Sequence, residues 1–140
     1  MEEKHLKTNI AQYALIVQDK KVLVLWPPNG PHWIFPGGRL NEADKSYQEA
    51  LQREVQEETQ LSIEILDPID VQMWIAHGTS HRYGVFFVCK PLTTEITLSE
   101  EHEKYQWISY EELLNHYKES PERSQAGIHI LERLHQKGWV

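Results

Sequence analysis

The most constraining feature of this chain is a predicted helix that carries acidic residues on the side where it must pack. Ser46 followed three residues later by Glu49 forms a capping box, so we expect the helix to begin at Ser46. Residues three and four apart share a helix face, which groups Glu54, Glu57 and Glu58. Like charges at this spacing destabilise a helix by roughly 0.2–0.5 kcal/mol per pair. A divalent cation would supply the missing positive charge.

The apolar residues of the same helix indicate which of its acids face inward. The apolar stripe consists of Tyr47, Ala50, Leu51 and Val55. On a helical wheel Glu54 and Glu58 lie within this stripe, and Glu57 lies at its margin. Charged residues are rare on a packing face unless they are paired or bind a metal. Two interpretations stay open, a network in which Arg53 and other bases neutralise the acids, and a metal site.

The residues before this helix predict a hairpin followed by a loop. Apolar segments at 10–17 and 22–26 flank a short polar interruption, which is typical of two paired strands. Residues 27–31 contain three prolines and a glycine, so they are expected to form a loop. A short strand is expected over 33–35, ending at the Pro36-Gly37-Gly38 turn.

The residues after the helix predict further strands and two more helices. Strands are expected at 61–66, 71–76, 82–89 and 107–108, with a bulge at Gly84 in the third. Ser109 and Glu112 form a second capping box that opens a short helix. The last helix is expected to begin near Ser120-Pro121 or at Ser124 and to end near Gly138. Its predicted inward residues are Ile128, Leu131 and Leu134.

Composition and charge exclude several classes of protein. The 140 residues suit one domain, 1–140, which is large enough to form a core without disulfides. The net charge of −7 argues against binding of a nucleic-acid polymer, and no segment is apolar enough to cross a membrane. Cys89 lies in an apolar run and is expected to be a buried, inert thiol. The charged N-terminus lacks a secretory signal, which favours a reducing, cytoplasmic location.

The segment from Gly38 to Leu61 resembles the signature of a known enzyme family. It reads GRLNEADKSYQEALQREVQEETQL and is similar to the signature of the Nudix hydrolases, G-x5-E-x7-R-E-U-x-E-E-x-G-U, where U is a bulky aliphatic residue. The block from Arg53 to Glu58 is the most specific part. The resemblance implies the family fold, an α/β/α sandwich (α/β, or α+β, class) with a central mixed β-sheet.

Two positions depart from this signature. The distance from Gly38 to Arg53 is one residue longer, so the first Glu of the signature has no exact counterpart, and Glu42, Asp44 and Lys45 all lie near its place. We expect the loop before Ser46 to absorb the extra residue. The closing Gly of the signature is Gln60, which must adopt a positive φ at an energetic cost unless the turn is rearranged.

The resemblance implies Mg²⁺- or Mn²⁺-dependent hydrolysis of a nucleoside diphosphate linked to another group. Carried over by position, Glu54, Glu57 and Glu58 would bind the metal together with a backbone carbonyl of Gly37-Gly38, assigned to Gly38. Arg53 would orient the carboxylates, and one acid would help to deprotonate water. Hard cations prefer such oxygen ligands.

Residues outside the signature are further candidates. Some family members carry another Glu six residues before a Trp on a late strand, which corresponds to Glu101 here as a metal ligand or base, with Glu100 and Glu103 as rivals. A solvated loop at 100–104 is the alternative. Trp33 and Trp26 are candidates for stacking on a base, although core packing also explains each of them. Arg82 is a candidate for phosphate binding, together with the backbone of Gly37 and Gly38.

Three functions stay open at this point. The leading hypothesis is a house-cleaning pyrophosphohydrolase acting on a small nucleotide, with a nucleoside triphosphate or an oxidised nucleotide favoured as the substrate. The second is a Nudix-like sensor that binds a nucleotide without catalysis, motivated by the extra residue and Gln60. The third is an acidic helix that binds another protein. The sequence does not decide the oligomeric state, although homodimers occur in the family.

Overall fold

The computed structural model describes residues 3–28, 32–119 and 124–140. Within them the chain forms six strands and three helices. In chain order the elements are β1 (Asn9–Gln18), β2 (Lys21–Trp26), β3 (Gly37–Arg39), α1 (Tyr47–Thr59), β4 (Ile63–Ala76), β5 (Ser80–Pro91), β6 (Lys104–Ser109), α2 (Tyr110–Lys118) and α3 (Ser124–Gln136).

The strands form one mixed sheet. Its order is β4-β5-β1-β2-β6, and β3 pairs with β1 beside this path. β1 runs parallel to β5, whereas the other strand pairs are antiparallel. The predicted hairpin of β1 and β2 is confirmed, with Val17 opposite Val22. The Gly-Gly turn therefore starts a strand that lies against the middle of β1.

Alternate residues of β1 fill two separate cores, one on each side of the sheet. Ala14 and Ile16 pack with Leu51 and Val55 of α1. Leu15 packs on the opposite side in a second core. That core receives residues from both later helices, namely Leu113, Tyr117, Ile130, Leu131 and Leu134. Because side chains alternate along a strand, the sheet lies between α1 and the other two helices. The expected α/β/α sandwich with a mixed sheet is confirmed.

The short strand predicted before the Gly-Gly turn is wrong in position. Residues 33–35 make only an isolated bridge, in which Ile34 pairs with Leu25. The strand itself begins two residues later, at Gly37, and pairs with β1. The N–H of Ala14 donates to the carbonyl of Pro36 at 2.8 Å. The paired strand begins directly after this bond, at the glycines, which allow the two backbones to approach closely.

The two strands predicted after the helix are one strand, β4. Its pairing with β5 is interrupted by register shifts at Ile65/Asp67 and Pro68/Asp70 instead of a full break. β4 lies at the edge of the sheet, where the missing N–H of Pro68 is tolerated. The bulge predicted at Gly84 is also wrong, because pairing there is regular, with Gly84 opposite Gln72.

Both predicted later helices are present. Ser109 caps α2, since its Oγ accepts the N–H of Glu112 at 3.2 Å. α3 begins at Ser124; the alternative start at Ser120-Pro121 lies outside the described residues. Leu131 and Leu134 are fully buried in α3, and Gly138 follows its end with a φ of 83°. Within the described ranges, no helix has the length and apolar content needed to cross a bilayer.

Cys89 lies in the core on the α1 side of the sheet. It is almost fully buried, and this burial raises the pKa of its thiol to about 12. Because the thiolate is the reactive form, Cys89 is inert at neutral pH.

Candidate active site

The start of α1 decides which of its acids face the sheet. The Oγ of Ser46 accepts the N–H of Glu49 at 3.1 Å, as the capping box predicts. With the helix fixed at this residue, the side chain of Glu58 is only 7% exposed, that of Glu54 is 20% exposed and that of Glu57 is 59% exposed. The structure therefore places Glu54 and Glu58 inward and Glu57 at the margin, in agreement with the helical wheel.

The Gly37-Gly38 backbone lies directly against these two inward acids. The N–H of Gly37 donates to Oε1 of Glu58 at 2.8 Å. A Cβ on Gly38 would lie 2.7 Å from Oε2 of Glu54, and a Cβ on Gly37 would lie 2.1 Å from the carbonyl oxygen of Gln12. Side chains at these positions would collide with the acids or with β1, so glycine allows the strand to approach the helix.

Arg53 connects the helix acids to the preceding loop. Its Nη2 lies 3.2 Å from both carboxylate oxygens of Asp44, and its Nη1 lies 3.4 Å from an oxygen of Glu54 and from one of Glu57. Burial opposes the charged guanidinium, but the three carboxylates outweigh it and raise the pKa of Arg53 above its ordinary value. The contacts suit a residue that orients carboxylates.

Arg53 does not neutralise the whole acidic group. Burial is the largest cause that raises the pKa of Glu54, and Arg53 only partly opposes it. The negative charges of Glu58, Glu57 and Glu101 raise the pKa of Glu54 further. Neighbouring bases alone therefore do not balance the negative charge of these acids. A bound cation would neutralise the charge that remains.

The loop between β5 and β6 completes the acidic group. The N–H of Ser99 donates to the carbonyl of Glu58 at 3.1 Å, and that of Thr97 donates to the carbonyl of Thr59 at 3.0 Å. This docking on the end of α1 brings Nε2 of His102 within 2.5 Å of Oε2 of Glu58. The side chain of His102 is only 5% exposed.

His102 was missed by sequence reasoning. It lies in the acidic stretch 100–104, for which a solvated loop was the alternative interpretation, and nothing local distinguishes it from its exposed neighbours. Glu101, which was a candidate, stays exposed at the rim of the site. Ligand atoms of Glu58, Glu101 and His102 lie within 4.8 Å of one another, which is close enough to surround one metal ion.

Comparison with known proteins identifies the family of this chain. A family model described as the NUDIX domain matches residues 7–127. The chain belongs to the Nudix family. As a Nudix hydrolase it is an enzyme that acts on acid anhydrides. No curated protein matches its sequence significantly.

Solved structures of Nudix proteins share the fold along nearly the whole chain. A Nudix hydrolase from Nitrosomonas europaea is 23% identical, with a TM-score of 0.77, over 94% of this chain and 90% of that chain. The MutT protein from Methanosarcina mazei Go1 is 27% identical, with a TM-score of 0.76, over 95% and 98%. A C. elegans Ap4A hydrolase is 19% identical, with a TM-score of 0.76, over 93% and 97%.

Nudix enzymes generally use divalent metals, and the donors of this site fit such an ion. Carboxylate oxygens are the preferred ligands of Mg²⁺ and Mn²⁺. Glu58 is buried beside Glu54, whose pKa is raised mainly by burial and further by the charges of Glu58, Glu57 and Glu101. The residues present thus match a hard cation in chemistry and in charge.

Trp26, Trp33 and Lys104 form an aromatic and basic group in this Nudix hydrolase. The rings of Trp26 and Trp33 meet edge to face, with centroids 4.9 Å apart. Lys104 lies opposite Trp26 in the β2–β6 pairing, and its Nζ is 5.2 Å from the Trp26 ring and 5.6 Å from the Trp33 ring. Lys104 follows His102 by two residues along the chain, whereas Trp33 packs against the core on the α2 and α3 side of the sheet. Neither Lys104 nor its contact with the rings was predicted.

Arg82 lies apart from this arrangement. On β5 it is paired with Asn9 of β1 and with Trp74 of β4, next to the β4–β5 turn. β1 separates β5 from β3, which carries Gly37 and Gly38. Of the predicted substrate-binding residues, the structure brings Gly37 and Gly38 to the acids, packs Trp33 against the core on the α2 and α3 side, and leaves Arg82 on β5.

Proposed function

We propose that this protein hydrolyses small nucleotides in which a diphosphate joins a nucleoside to another group, in a reaction that requires Mg²⁺ or Mn²⁺. The observation that carries the proposal is the buried Glu58, held against the Gly37 backbone with Glu54 and Glu101 beside it. A cation-binding site explains mutually repelling acids at the end of a glycine turn better than a surface that binds no ligand does. A nucleoside triphosphate is the favoured substrate.

Within this proposal Glu54, Glu57 and Glu58 bind the cation, together with the carbonyl of Gly38. When bound, the cation would neutralise phosphate charge and lower the pKa of the attacking water. Glu101, at the exposed rim, is a further ligand or takes the proton of that water. Arg53 holds Glu54 and Glu57 through the contacts described above, and Asp44 fixes Arg53 from the other side.

The base of the nucleotide is proposed to bind at the Trp26–Trp33 group. Stacking of a base on an aromatic side chain contributes roughly 1–3 kcal/mol and is tolerant of base identity. Trp33 also contacts the core, so packing and binding are compatible roles for it. The charge of Lys104, over both rings, would lie near the phosphates of a nucleotide stacked there.

The substrate class is supported by proteins of the same fold. One neighbour is named an Ap4A hydrolase, another a UDP-X diphosphatase and a third an ADP-ribose pyrophosphatase. All three names describe compounds in which phosphoanhydride bonds join a nucleoside to another group. Because these proteins share the fold of this chain, we propose that its substrate also contains a diphosphate linked to a nucleoside. Experiment has to identify the second group.

The test is a panel of nucleotides incubated with the purified protein and Mg²⁺ or Mn²⁺. The panel contains ordinary and oxidised nucleoside triphosphates, ADP-ribose and dinucleoside polyphosphates, and ³¹P NMR identifies the products. Release of pyrophosphate or of a nucleoside monophosphate shows which bond is cleaved. Glu58→Gln is expected to abolish turnover, and Glu111→Gln, which changes an exposed acid on α2, is the control.

The competing functions give different results in the same panel. Tight nucleotide binding without turnover of any compound would favour the catalytically impaired sensor. Absence of both binding and turnover, together with retained affinity for a partner protein that depends on Glu57, would favour the interaction helix. Turnover lost on chelation and restored by Mg²⁺ supports the proposal.

The context of the chain is also a proposal. We infer that residues 1–140 act as one domain in the cytoplasm, with a small nucleotide as partner and with no nucleic-acid polymer or membrane. The net charge of −7 and the inert Cys89 support this. Homodimerisation is proposed from the family resemblance alone, and sedimentation velocity tests it.

A further inference from the structure

We infer that His102 is a positioning residue that holds Glu58 in the orientation needed to bind the cation, without being a metal ligand itself. The inference rests on the proposed function, because it assigns a role within the same site. Its basis is the close contact between Nε2 of His102 and Oε2 of Glu58. Both side chains are buried.

The carboxylate of Glu58 is restrained at both of its oxygens. Oε1 accepts the N–H of Gly37 at 2.8 Å, and Oε2 lies 2.5 Å from Nε2 of His102. An ionised carboxylate has about four lone-pair sites, so two donors leave room for a cation. Ligating carboxylates are commonly fixed by hydrogen bonds of this kind.

The surroundings of the His102 ring indicate where its proton lies. An ionised carboxylate only accepts hydrogen bonds, so the nitrogen that faces Glu58 must donate. The other nitrogen, Nδ1, is buried and has no hydrogen-bond partner among the described residues. A proton on Nδ1 would be an unpaired buried donor, which is rarer in folded proteins than a buried acceptor without a partner. The arrangement therefore fits a ring that donates from Nε2 to Glu58.

The same geometry argues against direct ligation by His102. Around an octahedral ion with ligand bonds of about 2.1 Å, neighbouring ligand atoms lie about 3 Å apart. The contact between Nε2 and Oε2 is 2.5 Å, which is shorter than the usual N–H···O hydrogen bond and shorter than the separation of two ligand atoms on one ion. A ring nitrogen that carries a proton also has no lone pair to give a metal.

Glu58 needs such a restraint because its neighbours repel it. Glu54 and Glu101 carry like charge at the same site, and because Glu58 is buried, solvent screens this repulsion only weakly. The loop that carries His102 is itself fixed to Glu58 by the hydrogen bond from Ser99. Helix, glycine turn and loop thus converge on one carboxylate.

The experiment compares Mn²⁺ affinity in the absence of nucleotide, by EPR of free Mn²⁺, for wild type, His102→Leu and His102→Gln. His102→Leu removes the donor and is expected to weaken Mn²⁺ binding roughly 10–100-fold. His102→Gln supplies an N–H near the position of Nε2 and is expected to recover most of the affinity. A merely structural role would lower thermal stability without this pattern of rescue.

His129→Leu is the matched control. It also removes a contact between a histidine and a buried carboxylate, since Nδ1 of His129 lies 3.0 Å from Asp70, but on the opposite side of the sheet. We expect it to lower the melting temperature and to leave Mn²⁺ affinity unchanged. An equal loss of affinity in His129→Leu and His102→Leu would overturn the positioning role.

Two further results distinguish the possibilities. Electron spin-echo spectra of wild type with bound Mn²⁺ should show no directly coordinated nitrogen; a strong ¹⁴N coupling that His102→Gln removes would make His102 a ligand and overturn the inference. Wild-type affinity in His102→Leu would overturn the inference alone. Wild-type protein that binds no Mn²⁺, with or without nucleotide, would overturn the proposed function as well.

Discussion

Gln60 closes α1 in the left-handed region, with φ 61° and ψ 13°. Its N–H donates to the carbonyl of Gln56 at 2.9 Å, which is a helix C-cap that glycine normally provides. The next residue, Leu61, must enter the core on the α1 side, so the chain has to turn sharply here. A residue with a Cβ therefore occupies a conformation that is costly for it.

Replacing Gln60 by Gly should stabilise the protein by roughly 0.5–1 kcal/mol, because relief of the left-handed strain exceeds the entropy that Gly adds to the unfolded chain. Urea unfolding measures the change. Gln52→Gly, at an exposed position within α1, is the control and should destabilise by about 1 kcal/mol. Equal effects of the two substitutions would contradict the assignment of strain to Gln60.

The acids of α1 differ in how strongly the fold holds them, and their substitutions should differ accordingly. Glu58→Gln removes charge from the buried, doubly restrained carboxylate and should lower kcat by at least about two orders of magnitude. Glu57→Gln should also reduce kcat by orders of magnitude if the exposed Glu57 is a ligand. Steady-state kinetics and Mn²⁺ titration of both variants measure this, and wild-type activity in Glu57→Gln would remove Glu57 from the ligand set.

At the scale of elements, the β4–β5 hairpin shows why a glycine sits in a regular strand. Gly84 pairs normally with Gln72, yet a Cβ on Gly84 would lie 2.8 Å from the ring of Trp74. The indole covers the strand at this point and leaves no room for a side chain. The glycine thus signals a close approach, which the sequence alone could not distinguish from a bulge.

Gly84→Ala should destabilise the protein by roughly 1–3 kcal/mol, because the added methyl group collides with an aromatic ring. The same substitution in a Trp74→Leu background should cost much less, since the smaller side chain can move away. Thermal unfolding of the four proteins in this double-mutant cycle measures the coupling. Additive effects would show that something other than the indole requires the glycine.

At the scale of the whole molecule, Asp70 ties the α3 layer to the sheet. Its buried carboxylate contacts Gln72, and His129 and Arg133 reach it from α3. Burial raises the pKa of Asp70, but hydrogen bonds from Gln72, His129 and the backbone of Val71 outweigh burial and lower it below the ordinary value. Asp70 therefore favours the folded state only while it is ionised.

The lowered pKa of Asp70 predicts a loss of stability in acid. Its contribution is complete above the unfolded pKa of about 3.9 and disappears as the pH falls through the lower folded pKa. Asp70→Asn should cost roughly 1–3 kcal/mol at pH 7, and its stability should approach that of wild type below about pH 4. Urea unfolding across pH tests this, and a difference that does not change with pH would contradict it.

Sequence patterns predicted the features that depend on neighbours within one or two helical turns. The Ser46 cap set the start of α1, and the helical period then placed Glu54 and Glu58 inward, because both follow from local hydrogen bonding and residue spacing. The hairpin of β1 and β2 and the cap of α2 were predicted for the same reason. The strand before the Gly-Gly turn and the division of β4 were mispredicted because their pairing partners are distant in sequence.

The sequence by itself determined the acidic helix face that follows a glycine turn. Residues spaced three and four apart share one face of a helix, whatever the helix packs against. Only the tertiary structure decided that the Gly37 N–H and His102 meet the same carboxylate, 21 and 44 residues away along the chain. Those contacts depend on how β3 pairs with β1 and how the loop before β6 docks on α1. Long-range packing, which no local pattern encodes, thus completed the site.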